Sequence, residues 1–162
     1  MKMTLNLWDI VDRWKEIIVN SDEINDFCTK NYGKKPMIFL GADPKEPPEE
    51  ENTPFILIMP GGKKEGADQD TNKYVLYLYC CISQNTKTDG EEKSSEVLYL
   101  PGEKQINDFA DLIFSELQDN LQEHPISTYA LDVLMGTTFP QFSAMLTLTT
   151  EIEPAMGEEI IY

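Results

Sequence analysis

Nine consecutive residues, Tyr74 to Ile82, are apolar or aromatic at both parities. Successive side chains of a strand point to opposite faces. As a strand, this segment therefore sets Tyr74, Leu76, Leu78, Cys80 and Ile82 on one side. Val75, Tyr77, Tyr79 and Cys81 fall on the other. A strand that is oily on both sides has to be covered on both. Helices can cover one face. The second face needs a further layer of the same chain or another copy of it.

The flanking patterns show what the chain offers for that cover. Leu7, Ile10, Val11, Trp14, Ile17 and Ile18 recur at helical spacing and predict a helix over residues 6–19. Thr4 or Asn6 is placed to cap it. A shorter helix is expected from Ser21, with Asp22 and Glu23 at the positive end of its dipole and Gly33 as its stop. Residues 37–40 form a short apolar strand. Residues 41–53 hold three prolines and the run Glu49-Glu50-Glu51, which reads as an exposed loop. Phe55 to Met59 is a strand stopped by Pro60-Gly61-Gly62, and residues 61–72 form a second polar loop. Both loops are long enough to ask for an explanation: they order against a partner, or they are solvated and mobile.

After the apolar segment, residues 86–93 contain Asp89-Gly90, a strong turn signal. Glu96 to Leu100 then returns as a strand, so residues 73–100 are expected to form a long β-hairpin closed by Pro101-Gly102. A long helix is expected over residues 104–123, with Ile106, Phe109, Ala110, Ile113, Leu117 and Leu121 on one face. Residues 129–135 and 142–149 alternate as strands, with Gly136 and Pro140 between them. Strands grouped between helices predict an α+β fold: a mostly antiparallel sheet with a long β-hairpin, packed against two main helices. The 162 residues make one domain, with the segment 154–162 unplaced.

Charge narrows the partners. Twenty-nine acidic residues against 13 basic ones give a formal net charge of −16. Phosphate backbones and anionic membrane surfaces are therefore disfavoured partners, and a basic partner is steered toward the chain. Solubility alone also accounts for such a charge. The cysteines Cys28, Cys80 and Cys81 make no disulfide framework and behave as small buried hydrophobes, which fits a reducing cytoplasm. Met1 to Trp8 lacks the apolar core and cleavage site of a signal peptide, and no apolar run reaches membrane-spanning length.

Chemistry-bearing motifs are sparse. The one histidine, His124, follows the long helix and has no nucleophile or orienting carboxylate assigned to it. No Cys or His pair has zinc-ligand spacing. Neither Glu49-Glu50-Glu51 nor Asp68-x-Asp70 follows the calcium-loop pattern. Gly61-Gly62-Lys63-Lys64 lacks the order of a phosphate loop. No enzyme activity, cofactor or metal is expected. Tyr74, Leu76, Tyr77, Tyr79 and Tyr99 are the candidate subunit-interface residues, since aromatics are enriched at interfaces. They are equally at home in a sheet core.

The order of elements carries a resemblance. An N-terminal amphipathic helix precedes Thr53-Pro54-Phe55-Ile56-Leu57-Ile58-Met59-Pro60, then a hairpin, one long helix and two strands. The last strand carries Phe139-Pro140-Gln141-Phe142-Ser143-Ala144-Met145-Leu146-Thr147-Leu148. Over residues 5–150 this arrangement resembles the tail-terminator and tail-completion proteins of long-tailed bacteriophages, often found in prophages. The resemblance implies a small subunit that closes into a homo-oligomeric ring, commonly a hexamer. Such a ring caps the tail tube and meets the head connector. It implies assembly in the bacterial cytoplasm and a final place in the virion tail. The short helix at 21–32 departs from the pattern. A competing expectation is an acidic binding module, such as an immunity protein that neutralises a basic toxin.

Overall fold

A computed structural model of the protein describes residues 6–66, 72–89, 98–121 and 128–152. Helix α1 spans Leu7–Val19. Asn6 caps it, its side chain accepting from the Trp8 amide at 2.9 Å. Ile10, Val11, Trp14 and Ile18 form its buried stripe. Helix α2 spans Asp22–Tyr32 and is capped by Ser21, whose hydroxyl accepts from the Ile24 amide at 3.2 Å. Gly33 ends it at φ +76°, where a side chain is strained. Helix α3 spans Pro101–Leu121. It begins on a proline, whose missing amide hydrogen costs nothing in a first turn.

The strands are β1 (Met37–Leu40), β2 (Phe55–Lys64), β3 (Asn72–Ser83), β4 (Thr88–Asp89), β5 (Leu98–Tyr99), β6 (Thr128–Thr138) and β7 (Gln141–Ile152). Five of them form one sheet in the order β1-β2-β3-β7-β6, in which only β1 and β2 run parallel. This is the α+β fold with a mostly antiparallel sheet expected from the pattern. Its helical layer has three members, α2 joining the two main helices.

The expected hairpin over residues 73–100 does not form. β3 pairs with β2 on one side over residues 73–81 and with β7 on the other along its whole length. Tyr99 and Leu98 pair instead with Thr88 and Asp89 in a separate two-stranded ribbon. The long hairpins are β2–β3 and β6–β7. β3 was better served by β7, whose Leu148, Leu146, Ala144 and Phe142 meet Leu76, Leu78, Cys80 and Ile82 on the same face. Five residues at 96–100 could not offer a match of that length. Residues 61–64 also depart from expectation. They extend β2 beyond Pro60 through a register shift between Pro60 and Gly62, a place where a bulge tolerates proline. Asp68-x-Asp70, Gly90, His124 and the segment 154–162 lie outside the described residues.

One core joins the layers. Ile56, Ile58, Leu76, Leu78, Cys80, Ile82, Phe142, Ala144, Leu146 and Leu148 supply the sheet side. Trp14 and Ile18 of α1, Ile24 and Cys28 of α2, and Ile106, Phe109, Ile113 and Leu117 of α3 close over them. Each such aliphatic side chain stabilises the fold by roughly 1.5–3 kcal/mol relative to exposure. Phe27 stacks on Phe109 with ring centroids 5.5 Å apart, and the Tyr32 hydroxyl donates to Gln105 Oε1 at 3.0 Å, which ties α2 to α3.

Candidate interaction surface

With the helices on one side, the other side of the sheet is built from the odd-numbered residues of β3 and their cross-strand partners. Register places Phe39 opposite Leu57, Leu57 opposite Tyr79, Tyr79 opposite Met145, and Met145 opposite Leu134. An apolar row therefore crosses all five strands. Phe55 joins its β1 end, with ring centroids 5.8 Å from both Phe39 and Tyr79.

Cover on this face is uneven. Phe55, Leu57 and Cys81 are buried. The connection from β1 to β2 shields the end where they lie. Its short 3-10 turn, Glu50–Asn52, is bonded to the start of β1 and the end of β3. There Asn52 Nδ2 donates to Met37 Sδ at 3.8 Å and Ser83 Oγ donates to Glu50 Oε1 at 3.0 Å. Met59, Val75, Tyr77, Tyr79 and Met145 are only half-buried. Among the described residues no second layer of secondary structure lies over them. Burial pushes the Tyr79 phenol above its ordinary pKa, with Ser143 pulling the other way through a hydrogen bond. Gly61 keeps the surface flat beside Tyr77. A Cβ there would lie 2.7 Å from Tyr77 Cε2 and 2.8 Å from Val75 Cγ1.

The candidate interface residues are divided by the sheet. Tyr77 and Tyr79 lie on this open face. Tyr74 and Leu76 lie in the core at 1% and 0% exposure, with the Tyr74 hydroxyl bonded to Glu65 Oε1 at 2.6 Å. Tyr99 sits in the β4–β5 ribbon, away from β3 in the pairing, and its side chain lies outside the described residues. Phe39, Leu57, Met145 and Leu134 escaped the sequence reading. Met145 and Leu134 lie in alternating segments and Phe39 and Leu57 in continuous apolar runs, but neither pattern says which strands are neighbours.

The sheet's β6 margin is the second open feature. Val133, Leu134 and Met135 are 47%, 74% and 40% exposed. Asp132 is the one charged side chain between Thr128 and Thr150, in a chain of net charge −16. Two ion pairs lie where β3 begins, beside the first residue of β6: Lys73 with Glu151 at 3.3 Å and Lys63 with Glu65 at 3.6 Å.

For site chemistry, the described residues hold no group of three or more His, Cys, Asp or Glu side chains placed to bind a metal. The three thiols are buried, and burial pushes Cys28 up to about 12 and Cys81 up to about 11. Such thiols are poor nucleophiles. No described helix is long and apolar enough to cross a membrane. No family model matches the chain, and no curated protein is significantly similar to it.

Proposed function

We propose that this chain is a structural assembly subunit of the tail-terminator kind, one that meets other protein subunits through the open side of its sheet. The observation that carries the reading is the half-covered part of this face, where Met59, Val75, Tyr77, Tyr79 and Met145 adjoin the exposed Leu134. Contiguous apolar surface of this sort marks sites of protein contact. Tyr77 and Tyr79 add the amphipathic aromatic area favoured at interfaces. In such an assembly the subunits close into a ring that caps a tail tube and presents a surface to the head connector.

Native mass spectrometry and electron microscopy of the purified chain, alone and with tail-tube protein from the same genome, test this reading. A ring that terminates tubes is the expected result. Monomers at every concentration, with and without tube protein, overturn it. The net charge of −16 favours a second reading, an acidic module that neutralises a basic toxin. A tight one-to-one complex with such a toxin, weakening steeply with salt, would establish that reading instead.

A further inference from the structure

We propose that β6 pairs antiparallel with the β6 of a second copy, about a two-fold axis beside Val133, so that two five-stranded sheets run on as one. β6 is the last strand of its sheet, bonded to β7 on one side, and no described residue pairs with its other side. Eleven residues long, it contains neither proline nor lysine. Proline and charged side chains are the usual devices that keep a sheet margin from pairing, and β6 carries a single charge, Asp132. A margin of this length carries a row of backbone donors and acceptors ready for another strand.

The occupant follows from strand length and charge. Within this fold β2, β3 and β7 have both sides taken, and the opposite margin, β1, has four residues. The strand of matching length with a free side is β6 itself. Two copies at −16 each repel. They approach at least cost where charge is sparse: residues 128–150 carry Asp132 alone, and the carboxylates bordering β6 are Glu103 bonded to Thr137, Asp111 in the groove beside Val133 and Glu151 opposite Thr128. Pairing about Val133 sets Asp132 opposite Leu134 of the second copy, not opposite its own equivalent, which avoids a like-charge pair. A basic partner would be drawn to the acidic surfaces elsewhere on the chain.

Side chains beside the margin fit the same arrangement. The packing of α3 favours β7 and β3. Between α3 and β6 it leaves a groove of about 230 Å3 whose floor is Phe114, Leu131 and Val133 and whose lining also includes the polar Asp111, Ser115 and Gln118. In the pair, the inward side chains of both β6 strands lie side by side between two α3 helices. A strip roughly 36 Å long and about 15 Å deep is on the order of 500 Å2 per copy, so about 1,000 Å2 in total, the lower bound of a specific interface. Contacts across the groove add to it. The proposal does not depend on what the assembly caps, since it uses the margin and not the open face.

Sedimentation of the full chain, with cysteine crosslinking, tests the pairing. The wild type is expected to dimerise at micromolar concentrations. Val133→Lys, which sets two lysines face to face, is expected to weaken the dimer about tenfold or more, with unchanged circular dichroism. Val133→Cys is expected to form a 133–133 disulfide under mild oxidation, because paired Cα atoms lie within disulfide reach. The native cysteines are buried and do not compete. A monomeric wild type overturns the proposal. So does a dimer that V133K leaves intact and that V133C does not crosslink. Rings that form unchanged with V133K would sink this pairing and leave the assembly reading standing. A β6 dimer that never meets tail tube would do the reverse.

Discussion

Leu134 lies directly opposite Met145, the outermost pair of an apolar row that begins at Phe39 on the far side of the sheet. Next to Leu134, on the other face of β6, Val133 lies opposite Leu146. Leu134 is 74% exposed and Leu146 is 3% exposed. One ladder thus separates a surface position from a core position by a single step along each strand. Leu134→Ser is expected to change stability by no more than about 0.5 kcal/mol, while Leu146→Ala is expected to cost about 2–5 kcal/mol. Urea unfolding of the two variants at a concentration where the chain is monomeric checks this contrast.

Gly102, in the first turn of α3, faces the ring of the fully buried Phe142, and a Cβ there would run into that ring. Phe142 is held between Ile82 on β3 and Thr137 on β6, so it has little room to yield. Gly102→Ala is expected to destabilise by about 1–3 kcal/mol through overpacking, despite the better helix propensity of alanine. Phe142→Leu in the same background is expected to recover part of the loss. A double-mutant cycle by chemical unfolding measures the coupling.

Glu116 on α3 lies beside Glu23 in the first turn of α2, and burial together with that neighbouring carboxylate raises its pKa. A carboxyl whose folded pKa is raised binds its proton more tightly folded than unfolded. Its stabilising contribution is full below the ordinary carboxylate range, near pH 4–5, and is lost as pH rises through the folded value. Glu116→Gln is expected to flatten this decline and to be more stable than the wild type at neutral pH. Melting temperatures of both proteins from pH 4 to pH 8 decide it, and a wild-type advantage at neutral pH would contradict it.

Cys28 is buried in the core, and its thiol is pushed up to about 12 by desolvation. Cys81 is raised to about 11 by the same cause, with Glu50 adding to the effect. The reactive species is the thiolate. At pH 8 the native protein is therefore expected to react with a disulfide reagent at a small fraction of the rate of a free thiol. All three cysteines should titrate promptly in denaturant. A native thiol that reacts at the free rate would show that the core opens at that position.

Much of the fold is written in local pattern. α1 and α2 are marked by their apolar stripes and by Asn6, Ser21 and Gly33, since capping is decided within a few residues of the helix end. The alternation in β7 is equally plain, because burial of one face forces a period of two. The neighbours of β3 were not legible. Asp89-Gly90 promised a local return, and β7 won by offering twelve paired residues with an apolar face in register. Strand partners are chosen by summed side-chain contacts over long sequence separations. No window of sequence contains that sum.

The sequence by itself determined that residues 74–82 would be a strand needing cover on two sides, because a side chain's face depends on its neighbours' parity alone. Only the tertiary structure decided how that need is met. It put β3 at the centre of the sheet, laid three helices on one side, and brought a 3-10 turn against Met37 and Ser83 at the sheet's end. It also left Tyr77, Tyr79 and Met145 half-covered and residues 132–138 of β6 at the surface. Those outcomes depend on which distant segments reach each other first and pack best, a property of the folded whole.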